Sequence, residues 1–69
     1  MKKFTYDVDV HFNGKGWDTY EVKADCVENA RFAAVMRVIN ETGRENAEQI
    51  DSVRVYNHGT EKLLKEYAI

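Results

Sequence analysis

The chain has one cysteine, no proline and only four glycines among its 69 residues. A single thiol cannot close an internal disulfide, so a domain this short has no covalent staple and must depend on its core or on a partner. No Pro- or Gly-rich linker, internal repeat or low-complexity tract interrupts the sequence, and residues 1–69 are expected to form a single small domain. No apolar run approaches the roughly 18–20 residues that cross a bilayer. The opening Met1-Lys2-Lys3-Phe4-Thr5-Tyr6-Asp7 has basic residues with no apolar stretch behind them, which predicts no signal peptide. Together these features predict a cytoplasmic protein that does not engage membranes. Net charge is also scarce. Ten Lys and Arg against twelve Asp and Glu leave −2, too little positive charge for a basic nucleic-acid binder and too few carboxylates for an acidic mimic of DNA. What the sequence does hold is 43% hydrophobic beside 32% charged residues, a balance that suits a packed domain rather than a disordered one.

Phe4, Tyr6, Val8, Val10 and Phe12 alternate with Thr5, Asp7, Asp9 and His11. This period of two predicts a strand with one buried and one wet face. Asn13-Gly14-Lys15-Gly16 then breaks the alternation with an Asn-Gly pair, a hairpin signal because both residues tolerate positive φ. The second strand runs from Trp17 to Ala24, with Tyr20, Val22 and Ala24 on one face and Trp17 on the polar side with Thr19, Glu21 and Lys23. Asp25 followed by Glu28 reads as an N-cap with its capping-box partner. From Cys26 to about Thr42 no Gly or Pro intervenes, which predicts a helix of about four to five turns ended by Gly43 in a left-handed cap. Asn46 to Ile50 reads as a loop with a short helical turn. Ile50, Val53, Val55 and Tyr56 mark a third strand, and Asn57-His58-Gly59-Thr60 a tight turn. Residues 62–67 read as a fourth strand, with a C-terminal helix as the alternative. The expected fold is an α+β two-layer sandwich, β-β-α-β-β, with one helix on an antiparallel sheet of order 2-1-3-4. The alternative is β-β-α-β followed by a helix.

The junction Tyr20-Glu-Val-Lys-Ala-Asp25-Cys-Val-Glu-Asn-Ala30-Arg and the stretch Val53-Arg-Val-Tyr-Asn-His-Gly-Thr-Glu-Lys-Leu-Leu resemble those of small α+β accessory proteins. Many such proteins come from bacteriophages, mobile elements or bacteria, and some anti-CRISPR proteins share this size and layout. The resemblance covers most of the chain and carries no catalytic signature. It implies a soluble accessory or inhibitory protein that acts by occupying a host or defence protein.

The helix is apolar on two sides. Val27, Ala30, Ala34 and Val38 form one stripe at about 100° per residue, and Phe32, Val35, Met36 and Ile39 another. A helix on one sheet buries one stripe. The large stripe is therefore either core, or covered by the tail, or free for a partner. The open sheet face offers a second candidate surface: Asp7, Asp9 and His11 from strand one, Trp17 from strand two and Arg54 from strand three. A solvated face with cross-strand pairs explains most of these residues, whereas a Trp at a hairpin end either packs on its neighbours or anchors a contact. Asp7, Asp9 and His11 share a face about 7 Å apart, too widely spaced on a flat strand to close on one ion. His58 lies in a turn expected to be distant, so no metal is assigned. Cys26 is expected to be a small, half-buried residue rather than a nucleophile, and Asn13-Gly14-Lys15-Gly16 joins two strands where a P-loop would open a helix. No nucleophile–base pair or cofactor motif assembles, so an enzyme is not expected.

The sequence-based expectation is a non-enzymatic protein-binding module using Trp17, Phe32, Val35, Met36, Ile39, Asp7, Asp9, His11 and Arg54. A homodimer through the same surfaces is compatible with it. The alternative is a nucleic-acid-associated regulator reading backbone phosphates through Lys2, Lys3, Arg31, Arg37 and Arg44.

Overall fold

In a computed structural model that describes residues 2–68, alternation of apolar and polar side chains becomes the two faces of one sheet. The strands are β1 (Phe4–Phe12), β2 (Gly16–Ala24), β3 (Ile50–Asn57) and β4 (Leu63–Ala68), with α1 (Val27–Thr42) and the short α2 (Arg44–Ala47) between β2 and β3. The sheet order is β2-β1-β3-β4 and every pairing is antiparallel. This is the expected β-β-α-β-β layout, and the tail is a strand rather than a helix.

The core forms where β1 and β3, side by side at the centre, meet the helix. Val8, Val10, Val53 and Val55 from the sheet and Val38 from α1 are fully buried, and Ala30 and Ala34 complete the helix's contribution. Tyr6, Phe12, Val22, Ala24 and Ile50 close the edges of this cluster. β-branched side chains fill the layer from the sheet side, so the helix approaches closely with little more than methyl groups. Phe4, expected on the buried face, is 47% exposed. β3 reaches only as far as Tyr6, which pairs with Asn57, so Phe4 has a strand neighbour on one side alone.

A bulge solves a spacing problem in β3. Ile50 and Val53 are three residues apart and would point to opposite faces of a regular strand. Phe12 pairs with Ile50 and His11 with Ser52, leaving Asp51 as the extra residue. The shift returns Ile50 to the core and lets Asp51 reach His11 across the strands.

Four local expectations are corrected. The helix N-cap is Cys26, with extended backbone (φ −154°, ψ 168°) and no side-chain cap. Asp25 accepts a hydrogen bond from the Asn29 side chain at 2.6 Å, so its carboxylate serves the first turn through Asn29 instead of through a capping box. Gly43 has the expected positive φ (97°) but an extended ψ of 159°, because it also starts α2. Its N–H donates to the Ile39 carbonyl at 2.9 Å. The helical turn therefore occupies Arg44–Ala47, earlier than the loop expected at Asn46–Ile50. In the first hairpin, positive φ falls on Gly14 (82°) and Gly16 (94°) and not on Asn13. The Lys15 N–H donates to the Phe12 carbonyl at 3.0 Å, which puts Gly14 third in a turn of the kind that requires positive φ there.

Candidate functional site

Two surfaces remain once the core is assigned, one on each layer. On the helix, burial of Ala30, Ala34 and Val38 turns the large stripe outward. Phe32 is 51% and Met36 53% exposed. Val35 is half-buried against the core and Ile39 is half-buried at the margin. The possibility that the large residues form the core is thus overturned, because Ala30, Ala34 and Val38 occupy the space over the valine-filled sheet face. The tail does not cover the stripe either. Tyr67 of β4 reaches the Arg31 flank, where the guanidinium stacks 4.3 Å from the Tyr67 ring and 4.5 Å from the Phe32 ring.

On the open sheet face, Trp17 sits directly across from His11, with ring centroids 4.7 Å apart. The Arg54 guanidinium lies 4.5 Å from the Trp17 ring, and its Nε donates to Glu66 Oε2 at 3.0 Å. The stack holds Trp17 in place while 43% of it stays accessible. Trp17 therefore packs on its neighbours and still presents a face.

The three strand-one residues do not work together. His11 Nδ1 lies 2.6 Å from Asp51 Oδ1, and Asp9 Oδ1 accepts from the Thr19 hydroxyl at 2.7 Å. Asp7 turns to the β3–β4 turn. Its Oδ1 is 2.9 Å from His58 Nδ1, and its Oδ2 accepts the Gly59 N–H at 3.1 Å. The expectation of a distant His58 is corrected, because pairing of Asn57 with Tyr6 folds the turn back beside Asp7. Glu21, directly opposite Asp7 on β2, brings Oε1 to 3.7 Å from the same imidazole nitrogen. The His58 hydrogen bond holds the Asp7 carboxyl below the ordinary carboxylate range, and the same bond raises His58 above the ordinary imidazole value. Sequence reasoning missed His58 and Glu21 as members of this cluster. Glu21 is placed by the β1–β2 hairpin register, whereas His58 arrives through the β1–β3 register, which is not visible from spacing alone.

Beside the cluster lies a depression of about 400 Å³ lined by Asp7, Asp9, Thr19, Tyr56, Thr60 and Glu61. Cys26, expected half-buried, is exposed at the helix cap. Of the residues proposed to read phosphates, Arg31 pairs with Glu28 at 3.5 Å. Arg37 is committed to the fold, donating from Nη1 to the Glu21 carbonyl at 2.8 Å and pairing with Glu41 at 3.3 Å. No described helix is long and apolar enough to cross a membrane.

The fold and these surfaces define a small α+β sandwich with an apolar outer helix face and a polar, aromatic-bearing open sheet face. Compared with protein-family models, curated proteins and solved structures, the chain gives no match. The resemblance to phage-type accessory proteins thus rests on size and layout alone.

Proposed function

We propose that the chain is a protein-binding module whose contact surface is the outer face of α1, seated in an apolar groove of a protein partner. The carrying observation is the exposure of Phe32 and Met36, at 51% and 53%, on a helix whose small residues already fill the core. Phe32, Val35, Met36 and Ile39 stand at i, i+3, i+4 and i+7, the anchor pattern of a helix laid into a groove. Burying their remaining apolar surface gains about 25 cal/mol per Å², and the outlay in ordering is small because the helix is already fixed by its inner face. Steric occupation of the groove is the mode of action this surface supports.

The test is capture by the purified chain from its native host, run beside the Phe32→Ser/Met36→Ser variant and with the solution mass of both. A monomer that captures a protein, and a folded double variant that no longer does, is the expected result. Unchanged capture by the double variant overturns the reading. A doubled mass that the variant reduces to that of the monomer would replace the foreign partner with a second copy of the chain.

A further inference from the structure

We propose that Asp7, Glu21 and His58 form a binding site for one zinc ion on the open face of the sheet. The three side chains come from three separate elements, β1, β2 and the β3–β4 turn. One donor atom from each lies within 4.8 Å of the other two. Ligands about 2.0–2.2 Å from a tetrahedral ion are separated from one another by about 3.3–3.6 Å. Here His58 Nδ1 is 2.9 Å from Asp7 Oδ1 and 3.7 Å from Glu21 Oε1, so the separations straddle that spacing. Both Glu21 and His58 are exposed, and small side-chain rotations adjust them without moving the sheet.

Two features of the surroundings favour a cation at this point. Asp7 and Glu21 are directly opposite on neighbouring strands, where like charges repel. A divalent ion between them converts that repulsion into attraction. The Asp7 carboxylate is also held from behind, because the Gly59 N–H occupies Oδ2 and leaves Oδ1 facing His58. An outer hydrogen bond of this kind is how proteins orient a ligating carboxylate.

One imidazole nitrogen with two carboxylate oxygens is a borderline set that suits zinc better than magnesium or calcium, which take oxygen-only shells. Binding displaces the hydrogen bond between His58 and Asp7 and releases any proton on Nδ1 to solvent. Three protein ligands leave a fourth position for water. Because Asp7 also lines the 400 Å³ depression, the ion would border that recess. His11 and Asp51 form a separate pair, and Cys26 is an exposed thiol, so both must be distinguished from this site.

The experiment is calorimetric titration of Zn²⁺ into the metal-free chain and into the His58→Ala, Glu21→Gln and Cys26→Ser variants, with circular dichroism to check folding. Saturable 1:1 uptake is expected in the parent and in Cys26→Ser. At least a tenfold loss of affinity is expected in His58→Ala and in Glu21→Gln. Glu21→Gln keeps shape and lies on an exposed edge, so it decides the matter if His58→Ala disturbs the turn. Absence of saturable uptake overturns the proposal. So does uptake that survives both Glu21→Gln and His58→Ala, or uptake lost in Cys26→Ser alone.

Discussion

Asp25 and Trp17 carry separate predictions at the residue scale. Asp25 belongs to the junction where a capping box is expected, yet its carboxylate takes a hydrogen bond from Asn29, and that bond holds its pKa below the ordinary aspartate value. A carboxyl whose pKa falls on folding stabilises the fold above its unfolded value and loses that contribution as pH drops through the lowered one. An NMR titration is expected to place the Asp25 midpoint below that of a free aspartate, and Asn29→Ala to return it towards that value. Trp17 is fixed between His11 and Arg54. Removing the ring by Trp17→Ala forfeits an exposed cation–π contact worth about 0.5–1 kcal/mol, together with some covered surface. Urea melts are expected to show a loss of about 1 kcal/mol. The chemical character of the single residues was legible in the sequence. Which of them meet was not, since Asp7 and His58 are 51 positions apart and come together only through the pairing of β1 with β3.

At the scale of elements, β1, β2 and the helix were legible because period and composition agree along each of them. β4 reads as a strand from its shortness and the turn before it, against a composition that favours helix. The orientation of α1 was not legible. Periodicity finds two apolar stripes but does not rank them, and the larger stripe is the natural choice for a core when the helix is considered alone. The sheet decides, since Val8, Val10, Val53 and Val55 fill the layer from one side and the stripe of Ala30, Ala34 and Val38 is the one buried against them. Two substitutions test this assignment in opposite directions. Ala34→Leu adds volume to a filled layer and is expected to cost about 1–3 kcal/mol in thermal or chemical denaturation. Phe32→Ser, which removes a much larger side chain from the outer face, is expected to stay within about 0.5 kcal/mol of the parent. Equal losses from both would place Phe32 in the core. The β3 bulge was hidden for a related reason. The odd spacing of Ile50 and Val53 is incompatible with one regular strand face, and only the partner strand reveals that Asp51 is the extra residue.

For the whole molecule, the lack of staples and the small core make stability uneven across the sheet. The helix packs on β1, β2 and β3, while β4 is tied to the rest by its pairing with β3 and by Tyr67. Every other residue of β4 is exposed, and Leu64 is left without a partner where the β3–β4 register shifts between Val55 and Tyr56. A strand with few buried apolar contacts opens below the free energy of global unfolding. Amide hydrogen exchange is therefore expected to be fastest in β4 among the strands and slowest in β1 and β3, whose valines are inaccessible to water. Tyr67→Ser removes the one β4 side chain that packs on the core and should raise exchange in β4 further while sparing β1. Uniform protection over all four strands would mean that β4 folds as part of the cooperative core. The distinction matters for recognition, since a β4 that opens locally exposes the β3 edge beneath it to an incoming strand. The outer face of α1, anchored from behind by Ala30, Ala34 and Val38, would stay fixed through such an opening.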